Sequence, residues 1–239
     1  DHRDLHSFPT RRSSDLLISH YKHQISQVAT QPIEEKQSPV TLRIYSHLTN
    51  FPSRILQFIH INNKTVVQLD LRTSQFLIFA NLLNVYIKEG EQHLLSLFKQ
   101  NRNKVYLKRL IKVLKQHQEQ LPPVGIDITD RNSGEHGSSD VTKFIRDVFF
   151  RDFYDVVAGE LGMKERLLAK YALFKLLFKK TNRPDALLHK LSHIYPIVVN
   201  IIAEFKKPDK SYATDKTDDN NRESNFSVFL QCIEAEIFI

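Results

Sequence analysis

Hydrophobic residues recur at helical spacing through most of the chain beyond residue 73. The first such pattern has its apolar face at Phe76, Phe79, Leu83 and Tyr86. Thr73 or Ser74 is expected to cap this helix at its N-terminus, and Gly90 is expected to end it. Further amphipathic patterns predict helices at residues 92–117, 140–161, 164–180, 185–193, 196–206 and 223–238.

Two short segments before this helical region have the residue types of β-strands. Residues 41–46 alternate between apolar and polar, and residues 65–71 are β-branched and then apolar, which is typical of a buried strand. Asn62 and Asn63 predict a turn just before the second segment. That strand runs directly into the helix near residue 73, so Asp70 is expected at a strand-to-helix corner that can face a cleft.

Polar stretches containing proline or glycine separate these elements. Residues 17–40 predict a short helix followed by a linker, and residues 119–140 and 207–222 predict loops. The elements together predict an α+β fold that is predominantly helical.

The charge balance favours a polyanionic partner, nucleic acid above all. The 239 residues include 34 Lys and Arg against 27 Asp and Glu, a formal net charge of +7. One predicted helix carries a run of cations with no acid between them: Lys99, Arg102, Lys104, Lys108, Arg109, Lys112 and Lys115. This basic helix could contact phosphates through charge alone, or it could be an ordinary solvated face.

Cysteine and glycine usage excludes several classes of protein. Cys232 is the only cysteine, so the chain forms no internal disulfide and no cysteine zinc site, which fits a reducing, cytoplasmic location. Six glycines are too few for a Gly-rich phosphate loop, and no Walker motif is present. The longest apolar stretch, residues 76–87, is too short to span a bilayer, so no membrane partner is expected.

The first residues are not expected to belong to the fold. Residues 6–16 resemble a common sequencing adapter translated in one frame, so residues 1–16 are interpreted as an artefact. The natural chain is then expected to begin upstream of Leu17, and the sequence to be a piece of a longer protein.

Asp70 is the first candidate for chemistry. A carboxylate at the end of an apolar strand can hold a divalent cation such as Mg²⁺ at the edge of a sheet. The alternative is a strand-end aspartate that only caps the next helix.

The predicted helix 164–180 carries a second candidate site. Arg166, Lys170, Phe174 and Phe178 follow one another at intervals of four, so they line one strip of the helix. Two cations suit the phosphates of a nucleoside triphosphate, and two rings suit stacking on its base. The alternative is an amphipathic helix with buried rings and solvated cations.

These two candidates together resemble family A, or DNA polymerase I-like, DNA polymerases. Residues 69–75 are similar to motif A of that family, a strand that ends in a metal-binding aspartate and leads into a Ser-Gln helix start. Arg166, Lys170, Phe174 and Phe178 reproduce the spacing of motif B, which lies on the fingers helix.

Other segments match the same family in the same order, over residues 41–239. Residues 41–52 resemble the segment before motif A, and residues 152–155 resemble the segment before motif B. Tyr195 and Pro196 resemble a Tyr-Pro pair that follows the fingers. Residues 229–235 resemble a helix that contains a glutamine, here Gln231, and precedes motif C.

The resemblance implies a fold and a division of the chain. A partial polymerase palm with few strands is expected at residues 41–98, and a helical insertion and fingers at 99–206. Residues 17–40 would be the linker and helix before the palm, and residues 207–239 a loop and the start of the return to it.

The resemblance also implies a function, template-directed nucleotidyl transfer by two-metal phosphoryl transfer. Two Mg²⁺ ions would be held by Asp70 and by a second aspartate, which the family carries in a His-Asp turn beyond the Gln231 helix. Nucleotide contacts are expected at Arg166, Lys170, Phe174, Phe178 and Gln75, and nucleic-acid contacts at Arg54, Lys104, Lys108, Lys112 and Gln231. The implied partners are a primed DNA template and deoxynucleoside triphosphates, bound by a monomer.

Several positions depart from the family pattern. Counting from Asp70, Gln75 occupies the position of a family glutamate beside the sugar, Phe178 replaces a tyrosine, and Lys179 replaces a glycine. The chain is therefore expected to be a divergent member, from a phage or mobile genetic element, with a single-subunit RNA polymerase relative as an alternative. The second catalytic aspartate of the family lies in a His-Asp turn that the sequence as given does not reach. The chain as given is therefore expected to be inactive.

Three other interpretations remain open. A non-catalytic, helical DNA-binding protein would use the basic helix at residues 99–115. An RNase H-like transposase would place Asp70 on its first strand, but that fold needs further strands where the pattern predicts helices. His189 and His193 have a zinc-like spacing, although no third ligand is evident.

Overall fold

The structure is a computed structural model that describes the chain in several segments. The described residues are 18–23, 25–26, 30, 35–39, 41, 43–45, 58, 60–61, 63–65, 73–123, 125–126, 128, 139–178, 185–207 and 225–238. The chain divides into two compact units, the first formed by residues 1–39 and 43–70 and the second by residues 40–42 and 71–239.

The first unit contains two short antiparallel strand pairs among its described residues. Strand β1 (Lys36–Gln37) pairs with β2 (Ile44–Tyr45), and β3 (His60–Ile61) pairs with β4 (Lys64–Thr65). Asn63 has φ 62° in the turn between β3 and β4, a conformation that asparagine tolerates better than most residues. The predicted turn at this position is confirmed, and β2 lies within the predicted strand 41–46.

The described part of the second unit is built from α-helices. The first four are α1 (Ser74–Ser96), α2 (Asn101–Gln116), α3 (Asp140–Phe150) and α4 (Phe153–Glu160). The next four are α5 (Arg166–Phe178), α6 (Ala186–Ile194), α7 (Pro196–Lys206) and α8 (Asn225–Phe238). A short 3-10 turn, Gln118–Gln120, follows α2.

Helix α1 begins where the sequence predicts, but without the predicted side-chain cap. Thr73 is the residue before the first turn, yet it has φ 54° and its side chain makes no capping hydrogen bond. Gly90 interrupts α1 with φ 81° and ψ −177°, a backbone geometry that glycine adopts without steric cost. Gly90 was predicted to end the helix; it interrupts the helix at that position, and helical residues continue to Ser96.

The prediction of one helix over residues 92–117 is wrong at its start, because the chain leaves the helix between Leu97 and Gln100. Glu236 of α8 explains where α2 begins. Its Oε1 accepts hydrogen bonds from the backbone amides of Lys99 (2.6 Å) and Gln100 (3.2 Å). A carboxylate at this position satisfies otherwise unpaired amides at a helix N-terminus.

The predicted helix 140–161 is likewise two helices, because Arg151 and Asp152 are extended between α3 and α4. Asp152 caps α4 by accepting hydrogen bonds from the amides of Tyr154 (3.2 Å) and Asp155 (3.4 Å). The remaining predicted helices correspond to α5 to α8 with ends shifted by a few residues.

Aromatic rings form the centre of the second unit. Helix α1 packs against α3 and α8, and α2 packs against α7 and α8. Phe79 of α1 meets Phe226 of α8 edge to face at 5.0 Å, and Phe205 of α7 stacks on Phe229 of α8 at 5.3 Å. Ring pairs of this kind contribute stability beyond that from burial of their apolar area, so this cluster holds α1, α7 and α8 together.

A half-buried and a buried carboxylate of α3 tie this helix to the start of α7. Asp140, at the start of α3, accepts hydrogen bonds from the amides of Ile197 (2.7 Å) and Val198 (3.3 Å) at the N-terminus of α7. Asp147, further along α3, accepts a hydrogen bond of 2.7 Å from the hydroxyl of Tyr195. Burial raises the pKa of Asp140 above its usual value in spite of these amides.

The described fold is predominantly helical, as the sequence predicts. The buried strand predicted at 65–71 lies, apart from Thr65, outside the described residues, and most of the predicted loop 207–222 does too. Within the described segments, no helix is both long enough and apolar enough to cross a membrane.

Candidate nucleotide-binding helix

The corner between α4 and α5 fixes the position of Arg166. Nη2 of Arg166 lies 3.2 Å from Oδ1 and 3.1 Å from Oδ2 of Asp152, and its Nε lies 3.3 Å from Oδ1 of Asp155. The guanidinium also lies over the ring of Tyr154, 4.8 Å from the centroid. Two carboxylates and one ring therefore hold the first cation of α5 against α4.

Asp152 serves both as the cap of α4 and as the partner of Arg166. Burial opposes ionisation of this carboxyl, but the Arg166 guanidinium and the amides of Asp155 and Tyr154 outweigh it and hold the pKa of Asp152 below its usual value. The carboxylate is thus charged at neutral pH, and the ion pair at the start of α5 is maintained.

Helix α5 places three of the four predicted site residues in one row of contacts, and Arg166 precedes this row at the same four-residue spacing. Nζ of Lys170 lies 5.5 Å from the ring centroid of Phe174, which lies 5.7 Å from that of Phe178. Phe174 is 37% exposed, whereas Lys170 and Phe178 are half-buried. The strip therefore presents cations near the N-terminal end of α5 and an accessible ring toward its C-terminal end.

The outer face of α5 beside this strip is apolar, which the sequence analysis did not anticipate. Leu167 and Tyr171 are 53% and 55% exposed, and Leu168 is exposed as well. An open groove of about 710 Å³ runs along this face. Its lining consists of Met163, Leu168, Tyr171, Phe174, Lys175, Phe178 and Leu187.

Small residues on the opposite side of α5 explain this orientation. Ala169 and Ala172 are fully buried, so they let the helix approach its neighbours closely. Leu173, Leu176 and Leu177 are buried on the same side. Because five core positions already satisfy the packing of α5, the large side chains at 167, 168, 171 and 174 are left at the surface.

Lys175 closes the groove toward α6. Its Nζ lies 3.5 Å from Oδ2 of Asp185, which also caps α6 by accepting a hydrogen bond of 2.9 Å from the amide of Leu187. The groove is therefore bordered on the α6 side by a lysine whose charge is paired with a carboxylate.

The remaining predicted site residues are not brought to this strip by the described structure. Asp70 and Arg54 lie outside the described residues. Gln75 of α1 and Gln231 of α8 are described and buried, at 9% and 7% exposure. Contacts of these four residues with nucleotide or nucleic acid stay predictions.

The basic helix α2 is amphipathic, but one of its cations is internal. Lys108, Lys112 and Lys115 are exposed, and Lys104 is half-buried. Arg109, which the sequence analysis placed among the outward cations, is 4% exposed and points inward. Its Nη2 donates to the carbonyl of Lys207, and its guanidinium lies 4.8 Å from the ring centroid of Phe205. The prediction for Arg109 was wrong because a guanidinium can be buried over a ring when a carbonyl accepts its hydrogen.

The described residues offer little for metal binding. They contain no group of three or more His, Cys, Asp or Glu side chains placed to hold an ion. His189 and His193 lie with ring centroids 4.6 Å apart on α6, as their spacing predicts, without a third ligand in the described part. The Mg²⁺ that the polymerase resemblance implies would depend on Asp70, which lies outside that part.

Comparison with known proteins adds no assignment. No protein family, curated protein or solved structure matches this chain.

Proposed function

We propose that this chain is the palm-and-fingers part of a template-directed nucleotidyltransferase of the family A DNA polymerase kind, with α5 as its nucleotide-binding helix. The observation that supports this proposal most directly is the strip on α5. Cationic groups are followed along one helix by an accessible ring, and that order matches the order of phosphate and base in a nucleoside triphosphate.

Lys170 is the residue on which the phosphate contact depends most. Arg166 is engaged by Asp152 and Asp155, whereas Lys170, the second cation of the strip, lies beside the ring of Phe174. An ammonium group binds phosphate as a compact point charge, and the N-terminal end of a helix adds a favourable partial charge. Lys170 would neutralise the triphosphate, while Arg166 would hold the start of α5 in place and add charge.

Phe174 is the residue proposed to contact the base. An exposed ring in a surface strip has no packing partner on its outer side, and stacking of a base on such a ring contributes about 1–3 kcal/mol. Phe178 lies next to it, with ring centroids 5.7 Å apart and ring planes tilted by 58°. The base would stack on Phe174, and Phe178 would support that ring from one side.

The catalytic step of the proposed function needs a divalent metal in addition to this helix. Two Mg²⁺ ions, held by Asp70 and a second carboxylate, would supply activation of the primer hydroxyl and neutralisation of the leaving pyrophosphate. The contribution of this chain's described residues is to bind and orient the nucleotide, which is a large part of catalysis in phosphoryl transfer.

Nucleotide binding to the 239-residue chain tests this proposal. A fluorescent deoxynucleoside triphosphate is titrated into the chain, into K170Q and into K190Q, which removes an exposed lysine from α6 as a matched control. We expect K170Q to weaken binding by about 10-fold, as loss of one charge-assisted contact predicts, and K190Q to leave it unchanged. Equal affinities of K170Q and K190Q would remove the support for α5 as the nucleotide site.

The same titration with ribonucleoside triphosphates addresses the RNA polymerase alternative. Gln75 stands where the family has a glutamate beside the sugar, so the resemblance does not fix which sugar is selected. Tighter binding of the deoxyribonucleotide favours a DNA polymerase, and tighter binding of the ribonucleotide favours the single-subunit RNA polymerase relative.

A further inference from the structure

Helix α6 places two histidine rings against each other at the protein surface. His189 and His193 are both exposed and lie about one turn apart, with ring centroids separated by 4.6 Å and ring planes at 78°. Among the described residues, neither ring makes a hydrogen bond or an ion pair with another protein group. The ring nitrogens of this histidine pair are therefore available to an external ligand.

The helix that carries the pair is fixed by its neighbours. Asp185 caps its N-terminus by accepting a hydrogen bond of 2.9 Å from the amide of Leu187, and Leu191 is fully buried on its inner side. Helix α6 also packs against α5 and α7. Because the backbone is already ordered, a ligand that bridges the two rings has only their side-chain torsions left to fix, which keeps the entropic cost of binding small.

Imidazole nitrogens select a particular class of ligand. They suit divalent transition metals such as Zn²⁺, Ni²⁺ and Cu²⁺, whereas Mg²⁺ prefers carboxylate and other oxygen ligands. Two histidines four residues apart on one helix face also supply two of the zinc ligands in helical metalloprotease motifs. Those motifs carry a glutamate base between the histidines, but here the residues between them are Lys190, Leu191 and Ser192. The pair has the ligands for a metal but not the base for hydrolysis.

The described part of the chain supplies two metal ligands at this position and no third. Asp185, one turn before His189, is engaged by the amide of Leu187 and lies 3.5 Å from Nζ of Lys175. The described residues contain no group of three or more potential ligands. Structural zinc sites use four protein ligands and catalytic sites use three. A two-histidine site is therefore expected to hold an exchangeable ion whose other positions are filled by water.

His20 and His23 provide a comparison within the same chain. Both are exposed and lie three residues apart in a helical segment, so they also have a helical spacing. The ring of His20 lies 5.9 Å from that of Tyr21, and no contact between the rings of His20 and His23 is present in the described structure. The contact between the two rings on α6 therefore distinguishes that pair from this one.

We propose that His189 and His193 together bind a divalent first-row transition metal ion, such as Ni²⁺, Zn²⁺ or Cu²⁺, through one nitrogen of each ring. The ion is exchangeable and carries water at its remaining positions. This site is distinct from the Mg²⁺ site of the proposed nucleotidyl transfer, because its ligands are nitrogens rather than carboxylate oxygens. The proposal does not depend on that function.

The test is a calorimetric titration of Ni²⁺ into the 239-residue chain at mildly alkaline pH, since metal binding requires unprotonated imidazole. The variant H189A/H193A removes the pair, and H20A/H23A removes two exposed histidines elsewhere. The variant K190H/H193A keeps two histidines on α6 at adjacent positions, which do not face each other on a helix. It also removes an exposed lysine next to the site, so a loss of binding could not come from added positive charge. Circular dichroism checks that all variants are helical.

We expect H189A/H193A and K190H/H193A to weaken Ni²⁺ binding by at least about 10-fold, because the second imidazole adds affinity only when both rings reach the same ion. H20A/H23A should stay within about 2-fold of the unmodified chain. Unchanged affinity in H189A/H193A, or an equal loss in H20A/H23A, would overturn the proposal. Retained affinity in K190H/H193A would overturn it too, because the number of histidines and not their spacing would then decide binding.

Two further measurements identify the ion and the state that binds it. A large excess of Mg²⁺ should leave the Ni²⁺ affinity unchanged, and displacement of Ni²⁺ by Mg²⁺ would overturn the assignment to imidazole ligands. Because the two rings are held together only in the folded chain, Ni²⁺ should raise the melting temperature of the unmodified chain and of H20A/H23A. An equal rise in H189A/H193A would place the stabilising ion elsewhere and overturn the proposal.

Discussion

Arg166 and Asp152 join the start of α5 to the start of α4 through a two-oxygen contact, with Nη2 of the arginine 3.2 and 3.1 Å from the two carboxylate oxygens. Arg166, the first cation of the proposed nucleotide-binding strip, is therefore already paired with a carboxylate of the protein itself. Asp155 adds a second carboxylate at 3.3 Å from the Nε of Arg166. A triphosphate that approaches Arg166 has to compete with both of them.

Asp155→Asn is expected to tighten nucleotide binding. The side chain of Asp155 is 62% exposed, so its removal should not disturb the core, and it does not cap α4 as Asp152 does. An exposed ion pair contributes up to about 1 kcal/mol, so release of Arg166 and loss of one negative charge should increase triphosphate affinity by about 2- to 5-fold. The measurement is the same fluorescent-nucleotide titration that tests Lys170.

Glu160→Gln is the matched control for that prediction. Glu160 lies on the same helix, pairs with Lys143 at 2.7 Å, and its side chain is 42% exposed. The substitution removes one negative charge without changing a contact of Arg166. If E160Q tightens binding as much as D155N, the effect comes from net charge, and the competition at Arg166 is not the cause.

Phe174→Ala should weaken nucleotide binding with little effect on stability. Phe174 is 37% exposed, so its truncation should create little buried empty space and change stability little. Loss of base stacking should reduce nucleotide affinity by about 10-fold. Phe150→Ala of α3 is the control, because that ring is 40% exposed. We expect similar melting temperatures for the two variants and a loss of affinity in F174A alone. Unchanged affinity in F174A would argue that the base is bound elsewhere.

Tyr195→Phe should destabilise the second unit through Asp147. The hydroxyl of Tyr195 donates to this buried carboxylate at 2.7 Å, and Arg151 lies 3.1 Å from its other oxygen. Loss of the hydroxyl leaves one buried oxygen without that donor, which costs about 1–3 kcal/mol. Urea unfolding measures the change in the free energy of unfolding.

Two comparisons make the Tyr195 prediction specific. Tyr171→Phe removes an exposed hydroxyl from α5 and should change the free energy of unfolding by less than about 0.5 kcal/mol. The double variant Tyr195→Phe/Asp147→Asn should lose less free energy of unfolding than the two single variants lose together, because the charge and its donor are removed at once. Additive effects would mean that the hydrogen bond contributes little.

The sequence predicted the helices well because their apolar faces are local patterns. Phe76, Phe79 and Leu83 lie in the core where their spacing places them. The start of α2 was missed because Glu236, more than a hundred residues away in the chain, caps it. No local pattern contains that information.

The candidate site shows the same limit. The spacing of Arg166, Lys170, Phe174 and Phe178 predicted a single strip, and the last three residues are in contact along one row. It could not predict that Asp152 and Asp155 would engage Arg166, because that contact depends on how α4 turns back on α5. Nor did it show that Leu167 and Tyr171 would lie at the surface, since a leucine and a tyrosine in a helix usually indicate the core.

Lys206 provides a pH-dependent prediction at the other end of α5. Its ammonium group on α7 donates to the carbonyl of Leu176 in the last turn of α5, and burial lowers the pKa of Lys206 from 10.5 to about 8. The unfolded chain therefore binds more protons than the folded chain between about pH 8 and 10.5. The contribution of this group to the free energy of unfolding should rise with pH across that window, whereas below it the lysine is charged in both states.

Lys206→Met removes this titration while keeping most of the buried apolar stem. Between pH 7 and 10, the free energy of unfolding of the unmodified chain should rise by about 2 kcal/mol relative to K206M. Lys190→Met removes an exposed lysine from α6 and is the control for the change in charge, so its curve should follow that of the unmodified chain. The measurement is urea unfolding at several pH values, and parallel curves for K206M and the unmodified chain would show that Lys206 titrates alike in both states. A confirmed difference would show that Lys206 is withdrawn from water in the folded chain and that loss of its proton stabilises the packing of α7 against α5.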